Sequence, residues 1–412
     1  MIVDLMNNIK KEILNVVFSL GVSDLNENDI VLEVPKDSKN GDFSTNIAMR
    51  LARSLHKAPQ LIATDIKNGL DLKKCHTSKV EVAGAGFINF YLDLDYLLEV
   101  VPLILSQNDK YGSSNIGKGE KINLEFVSAN PTGYLHIGHG RGAAYGDSLA
   151  RCMKKAGYLV DREHYVNDAG NQITNMGLSV YERYKELFGL PIEFKEDYYH
   201  GKEIITIAEM IKSEYGDKFI KEYDLEFFKN YGTKFLLGNL KKDLKHFNVE
   251  FDTWFSEKTL YQTGQVQSTL EKLKQGGYTY ESDGALWLKT SAYGDEKDRV
   301  IIKSDGNYTY LLPDIAYHAN KLSRGYDHLI DVLGSDHHGY IARLKAAVNM
   351  VGGDSNLIDV EILQMVRVME NGEEVKMSKR SGKAITLNDL IEEVGTDALR
   401  YFYVSKSLST HL

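Results

Sequence analysis

The sequence predicts an α/β protein: a doubly wound parallel sheet with an inserted subdomain, preceded by a small α+β domain. Three observations carry that prediction. Residues 121–156 read as strand, turn and helix in immediate succession, the usual opening of a nucleotide-binding sheet. Ile330-Asp-Val-Leu333 has the apolar character of a strand buried on both faces and is followed by polar residues and a helix from about 342. A polar, Gly/Ser-rich stretch from Ser106 to Glu120 separates these features from about 110 preceding residues.

The elements follow in chain order. An amphipathic helix is expected over Met6–Leu20, then a Lys39-Asn-Gly-Asp42 turn and a helical stretch near Asn46–Leu55. Residues 80–92 predict two short strands around a Gly-Ala-Gly turn. Lys121–Val127 is a strand, Ser128-Ala-Asn-Pro-Thr-Gly133 a turn, and about His136 to Ala156 a helix with small residues in its first turns. The charged and aromatic region from about 185 to 300 is taken as the insertion, and Leu387–Tyr403 as one helix. Expected boundaries are thus 1–110 for the first domain, 111–345 for the sheet domain, and 346–412 for a closing region.

Composition narrows the class. The 412 residues are 43% hydrophobic and 26% charged, as in an ordinary globular protein of two to four domains. A net charge of −9 argues against a nonspecific nucleic-acid coat, so any phosphate contacts must be gathered into local basic patches. Cys75 and Cys152 stand far apart without a metal-ligand spacing, which fits a reducing compartment. The start, Met-Ile-Val-Asp-Leu-Met, lacks a signal-peptide pattern, and no apolar run approaches the ~18 residues of a spanning helix. The expectation is a cytoplasmic protein without membrane contact.

Two constellations carry chemistry. His136 and His139 are three apart at the start of a helix, where free N–H groups and the macrodipole favour anions, with Gly138 between them. Such a pair suits a nucleotide, with its base over the glycine and its phosphates facing the imidazoles. A capped helix start with two surface histidines, or half of a metal site, are the alternatives. Lys376-Met-Ser-Lys-Arg380 gathers three cations between Gly372 and Gly382, able to close over a triphosphate and offset charge on departing pyrophosphate. A solvated basic turn is the alternative there.

Together, His-Ile-Gly-His at 136–139 and Lys-Met-Ser-Lys-Arg at 376–380 resemble the paired signatures of class I aminoacyl-tRNA synthetases. The surrounding text is similar to that of arginyl-tRNA synthetases: residues 125–139, 165–172, 249–257, 310–318 and 334–340, with Gly-Asp-Phe-Ser-Thr-Asn (41–46) and Gly-Ala-Gly-Phe-Ile-Asn-Phe (84–90). The resemblance spans essentially the whole chain and implies a Rossmann-type catalytic domain that ligates L-arginine to tRNA(Arg).

It also implies roles by position. A guanidinium pocket falls on Glu125, Tyr310 and Asp314, two acids and a phenol suited to a planar fork of donors. Ser128 and Asn130 fall where the substrate's backbone groups are held, with His139 and His337 beside them. ATP contacts fall on His136, Gly138, His139, Asp336, His338, Met377, Ser378 and Lys379, and catalysis on His136, His139, Lys376 and Lys379. Without the resemblance Glu125 would read as a surface acid, Asn130 as a turn former and Asp314 as a helix cap. ATP is expected to bring Mg²⁺ held by phosphates and water, with no protein-bound metal, although Asp336-His-His338 suggests one to a motif reader. Phe87 and Asn89 match positions that meet the tRNA elbow; a buried strand aromatic is the alternative for Phe87.

The family continues into a helical anticodon-binding domain, so the chain to Leu412 is expected to lack most of it, which would impair tRNA charging. A monomer is expected. The rival readings are a nucleotidyltransferase, a glutamate or cysteine enzyme of the same class, and a non-catalytic tRNA-binding paralogue. An anionic substrate would want arginines at the Glu125/Tyr310/Asp314 positions and cysteine a zinc site. Intact signature residues argue against the paralogue.

Overall fold

The computed structural model describes residues 2–367, 369–370, 373–374 and 385–412, which divide into two compact units, Met1–Gly112 and Ser113–Leu412. In the first unit α1 (Ile2–Ser19) is followed by β1 (Phe43–Thr45), α2 (Ile47–Leu51), α3 (Pro59–Gly69), β2 (Thr77–Ala83) and β3 (Phe87–Leu92). The strands form an antiparallel sheet in the order β1-β3-β2. Ile9, Ile13 and Val17, one apolar stripe of α1, pack with Ile62 and Ile66 of α3 over Val80, Ile88 and Phe90. The helix expected near 46–55 is only five residues long, and the expected linker starts inside a helix: α4 (Leu94–Leu98) is followed by α5 (Val100–Gln107), which ends within it, and a 3-10 turn follows over Asn108–Lys110.

The second unit is built on five parallel strands. They are β4 (Lys121–Glu125), β5 (Leu159–Val166), β6 (Thr253–Ser256), β10 (His328–Gly334) and β11 (Ile358–Leu363), in the spatial order β11-β10-β4-β5-β6. The order reverses direction between β4 and β10, and ligands of such sheets bind at the carboxyl ends of the strands flanking that reversal. The first crossover is α6 (Ile137–Lys155), whose small residues allow close approach: a Cβ on Gly146 would fall 2.2 Å from Cγ of Phe126. Ile122 and Leu124 of β4 pack with Ala143, Ala144 and Ala150 of α6 on one face of the sheet.

The expected single insertion at 185–300 is corrected by β6, which lies inside it yet pairs with β5 as the edge of the parallel sheet. Only four residues long and half-buried throughout, β6 lacks the apolar run that marks a buried strand. The additional material lies on both sides of it. Before it come α7 (Gly170–Glu186), α8 (Lys202–Tyr215), α9 (Lys218–Lys221) and α10 (Leu225–His246), with a core of their own around Met176, Ile207 and Phe228. After it come α11 (Glu257–Gln262), α12 (Gln265–Gln275) and an antiparallel sheet of β7 (Thr279–Ser282), β8 (Ala285–Leu288) and β9 (Arg299–Ile302).

Next follow α13 (Leu311–Ser323), then α14 (Ile341–Met350) behind β10, and the short pair β12 (Met369–Glu370) and β13 (Glu373–Glu374). The last predicted helix is two, α15 (Leu387–Val394) and α16 (Thr396–Val404). Gly395, at φ 83°, ends the first in a conformation costly for residues with a Cβ.

Candidate functional site

Three acids stand side by side across the middle of the sheet. Asp331 of β10 is in register with Glu125 of β4, and Glu125 with Glu163 of β5. All three are buried, an arrangement that like-charge repulsion and desolvation oppose unless cations intervene. Helix α13 supplies them. Its apolar positions Leu312, Ile315 and Ala316 belong to the adjoining core, while Asp314, Tyr317, His318 and Lys321 recur at helical spacing, the last three making the polar contacts to the strands and Asp314 pairing with His318.

Lys321 Nζ lies between Glu125 and Asp331, 2.7 Å from Asp331 Oδ1 and in contact with Glu125 Oε2. Tyr317 donates either to Glu125, at 2.9 Å, or to Glu163, at 2.8 Å. Arg324 holds Glu163 with two guanidinium nitrogens, at 2.7 and 2.9 Å. His318 lies 2.8 Å from Asp331 through Nε2 and 3.1 Å from Asp314 through Nδ1. Burial alone would favour neutral imidazole, but the two carboxylates outweigh it and raise His318 to about 10. Burial likewise opposes charge on Asp331, yet Lys321 and His318 hold it well below the usual carboxylate range.

A cavity of about 680 Å³ opens over this row. Glu125, Ser128, Asn130, Tyr310 and Asp314, the residues to which the resemblance gave the arginine, all line it. Glu125 is 8% exposed, so it is not the surface acid of the alternative reading. Ser128 donates to Glu125 Oε1 at 2.7 Å and accepts from the Tyr165 backbone N–H at 3.1 Å. That placement uses a strained turn: Val127 and Ser128 have φ of 69° and 38°, a cost concentrated at functional sites. Asn130 donates to Gln172 at 2.8 Å. Asp314 is not the cap of α13, a position held by Tyr310; it lies in the first turn and accepts from the Tyr340 hydroxyl. Tyr310 itself is 74% exposed on the cavity rim.

The same cavity takes in Glu257, Arg299 and Arg343, which sequence reading did not single out. Burial pushes Glu257 upward, opposed by hydrogen bonds from Tyr165 and Tyr261. Arg299 is held by Asp295 through two 2.7 Å hydrogen bonds. No periodicity could have joined these residues to Glu125, because the fold, not local spacing, assembles them.

His136 and His139 begin α6. His136 Nδ1 accepts from Gly138 N–H at 3.1 Å, His139 Nδ1 accepts from His136 N–H at 3.2 Å, and the rings lie 3.8 Å apart. This is a reciprocal cap made by imidazoles, so the helix-start reading and the functional one coexist. With Nδ1 accepting, a neutral ring carries its proton on Nε2. Gly138 has a reason of its own: a Cβ there would meet His136 Cε1 at 3.0 Å.

Lys376, Met377, Ser378, Lys379 and Arg380 lie outside the described residues, as do the side chains of Asp336, His337 and His338. The backbone of those three forms a 3-10 turn directly after β10, at the carboxyl end of the sheet. In the first unit, Phe87 is 42% exposed, against the buried alternative, whereas Asn89 is buried and accepts from Ser44 at 2.7 Å. Both line a hollow of about 310 Å³. Among the described residues no helix is long and apolar enough to cross a membrane, and no cluster of three His, Cys, Asp or Glu is placed to hold a metal.

A parallel sheet reversing at an acid-lined cavity, with a histidine-capped helix after its first strand, defines a class I aminoacyl-tRNA synthetase. The family model "tRNA synthetases class I (R), catalytic domain" matches residues 100–405, and "Arginyl tRNA synthetase N terminal domain" matches residues 4–92. The chain belongs to the arginyl-tRNA synthetase family. It is 51% identical over 416 residues to the arginine–tRNA ligase of Bacillus licheniformis, covering 100% of this chain and 75% of that protein. The Bacillus subtilis ligase is 52% identical, with 98% and 73% covered. Among solved structures, a Campylobacter jejuni protein assigned as an arginyl-tRNA synthetase superposes with a TM-score of 0.70 at 40% identity, covering 77% and 70% of the two chains. The Thermus thermophilus arginyl-tRNA synthetase, at 19% identity, shares the fold with a TM-score of 0.59 over 98% and 76%. The activity is therefore arginine–tRNA ligation with ATP as the family's co-substrate.

Proposed function

We propose that the guanidinium of L-arginine lies between Glu125 and Asp314, with Tyr310 over it, while Ser128, Asn130, His139 and His337 hold its ammonium and carboxylate groups. The observation that carries this is the convergence of Glu125, Ser128, Asn130, Tyr310 and Asp314 on one cavity. A carboxylate has about four acceptor positions; Glu125 already uses two, for Ser128 and Lys321, and a third when Tyr317 donates to it rather than to Glu163, and Asp314 uses two, for Tyr340 and His318. What remains is a few acceptors spread over two acids, which suits a fork of donors better than a single ammonium. A lysine would leave buried acceptors unpaired, and the site would discriminate by that loss.

ATP is assigned to His136, Gly138, His139, Asp336, His338, Met377, Ser378 and Lys379, with Mg²⁺ carried by its phosphates. As the arginine carboxylate attacks the α-phosphate, charge grows on the phosphate oxygens. Nε2–H donors of His136 and His139, together with Lys376 and Lys379, oppose that charge and the charge on departing pyrophosphate. The acyl group then passes to the 3′ end of tRNA(Arg), with Phe87 and Asn89 meeting the tRNA elsewhere.

The test is arginine-dependent ATP–pyrophosphate exchange with and without tRNA(Arg). Glu125→Gln and Asp314→Asn each remove a charged acceptor and should raise the arginine KM by roughly tenfold or more, with the ATP KM nearly unchanged. Unchanged arginine KM values in both variants would remove the two-acid pocket.

A further inference from the structure

Lys321 is fully buried, does not line the cavity, and belongs to no role assigned above. The row Asp331, Glu125, Glu163 carries three carboxylates, matched by Lys321, Arg324 and the imidazolium of His318. Asp314 and Glu257 bring the acids to five, and Arg299 and Arg343, which line the same cavity, bring the cations to five. Without Lys321 that balance fails, and Glu125 and Asp331 become a converging pair of acids with a vacant cation seat between them.

We infer that Lys321 is a specificity-determining positioning residue, its buried ammonium filling the seat between Glu125 and Asp331 so that a point cation cannot use it. With that seat filled Glu125 keeps few acceptors for the ligand, and only a group with several divergent donors gains fully from the cavity. This rests on the reading of Glu125 as an arginine acceptor. The groups that face the Lys321 ammonium are Glu125 from β4, Glu163 from β5, Asp331 from β10, and Tyr317 and His318 from its own helix, with Arg324 beyond Glu163. Removing the ammonium leaves two carboxylates that would share a proton, so ligand binding would acquire a titration it otherwise lacks.

The experiment measures L-arginine and L-lysine affinity of the full chain by calorimetry between pH 6.5 and 8.5, in Lys321→Met, Lys321→Met/Asp331→Asn and Glu125→Gln. Lys321→Met should weaken arginine by about tenfold or more at pH 6.5, less at pH 8.5, and lower the arginine-to-lysine ratio by about tenfold. The double variant removes one charge of each sign and should fold, with a flat pH profile and arginine affinity within about threefold of the parent. A merely structural lysine would leave the double variant as weak as the single one. That result, a double variant that does not fold, or a Lys321→Met protein with unchanged affinity, ratio and pH profile would each overturn the inference. Unchanged arginine affinity in Glu125→Gln would instead overturn the pocket reading on which it rests.

Discussion

At the scale of single residues, His318 shows how a side chain can be structural and chemical at once. It is buried between Asp314 and Asp331, both of which line the cavity, one from α13 and the other from the sheet. Its proton is held up to about 10 by those acids, against the pull of burial. In an unfolded chain the same imidazole would titrate near about 6.5. A group whose pKa is raised on folding stabilises fully below its unfolded value and loses that contribution as pH rises through its folded value. His318 should therefore add stability at pH 6 and lose it progressively between about 6.5 and 10. The expected outcome is that His318→Gln melts well below the parent at pH 6.5 and that the gap narrows by pH 10, read by thermal unfolding at a series of pH values. A gap constant from pH 6.5 to 10 would mean that the histidine is neutral and serves packing alone.

At the scale of elements, α6 joins most of what matters. Its first turn carries His136 and His139, Arg141 donates to the carbonyls of Gln364, Ser407 and Thr410, and Asp147 receives Arg151 and Arg400. Tyr403 of α16 donates to the Ile137 carbonyl at 2.8 Å, so the histidine cap is held from behind by the closing helices. This packing depends on Gly146, since a Cβ there would collide with the Phe126 ring. Alanine would add helix propensity of up to about 1 kcal/mol but overpack the contact at about 1–3 kcal/mol. Gly146→Ala should accordingly unfold at lower urea concentration than the parent, with an unchanged m-value, and a stabilised variant would show that β4 and α6 can separate at little cost.

The same elements show how far the sequence was legible. β4, α6 and β10 announce themselves because each concentrates its signal locally, in an apolar run or in a capped start bearing small residues. β6 does not, because a half-buried edge strand of four residues has no such run. Asp314, Glu125 and Ser128 take their roles from the resemblance, which includes Tyr317 and His318 within 310–318 without giving them a role and does not reach Lys321. Only the register of β10, β4 and β5 reveals that the helix face bearing these three meets a row of acids. Glu257 and Arg343 were silent for a related reason: each is ordinary in its own helix and becomes part of a site through the sheet's closure.

At the scale of the molecule, each unit contains a core drawn from its own residues, Leu5 to Phe90 in one and the sheet's two faces in the other. Trp254 and Trp287 both belong to the second unit, so tryptophan fluorescence reports on its unfolding alone. The cavity over the acid row also lies wholly within that unit. A ligand that binds only the native state stabilises it by mass action, by about 2.7 kcal/mol at a hundredfold excess over Kd. L-arginine at that excess should raise the fluorescence melting temperature by several degrees. In amide hydrogen exchange it should slow β4, β10 and α13, where the cavity is anchored, and leave β2 and β3 unchanged, because their protection depends on a different core. Citrulline, which keeps the shape of arginine without its side-chain charge, should do neither, since Glu125 and Asp314 would gain no cationic side chain. Equal slowing of β2–β3 and β4–β10 by arginine would show that the two units open as one cooperative body. Equal protection by citrulline would show that shape, and not the charge held by Glu125 and Asp314, selects the amino acid.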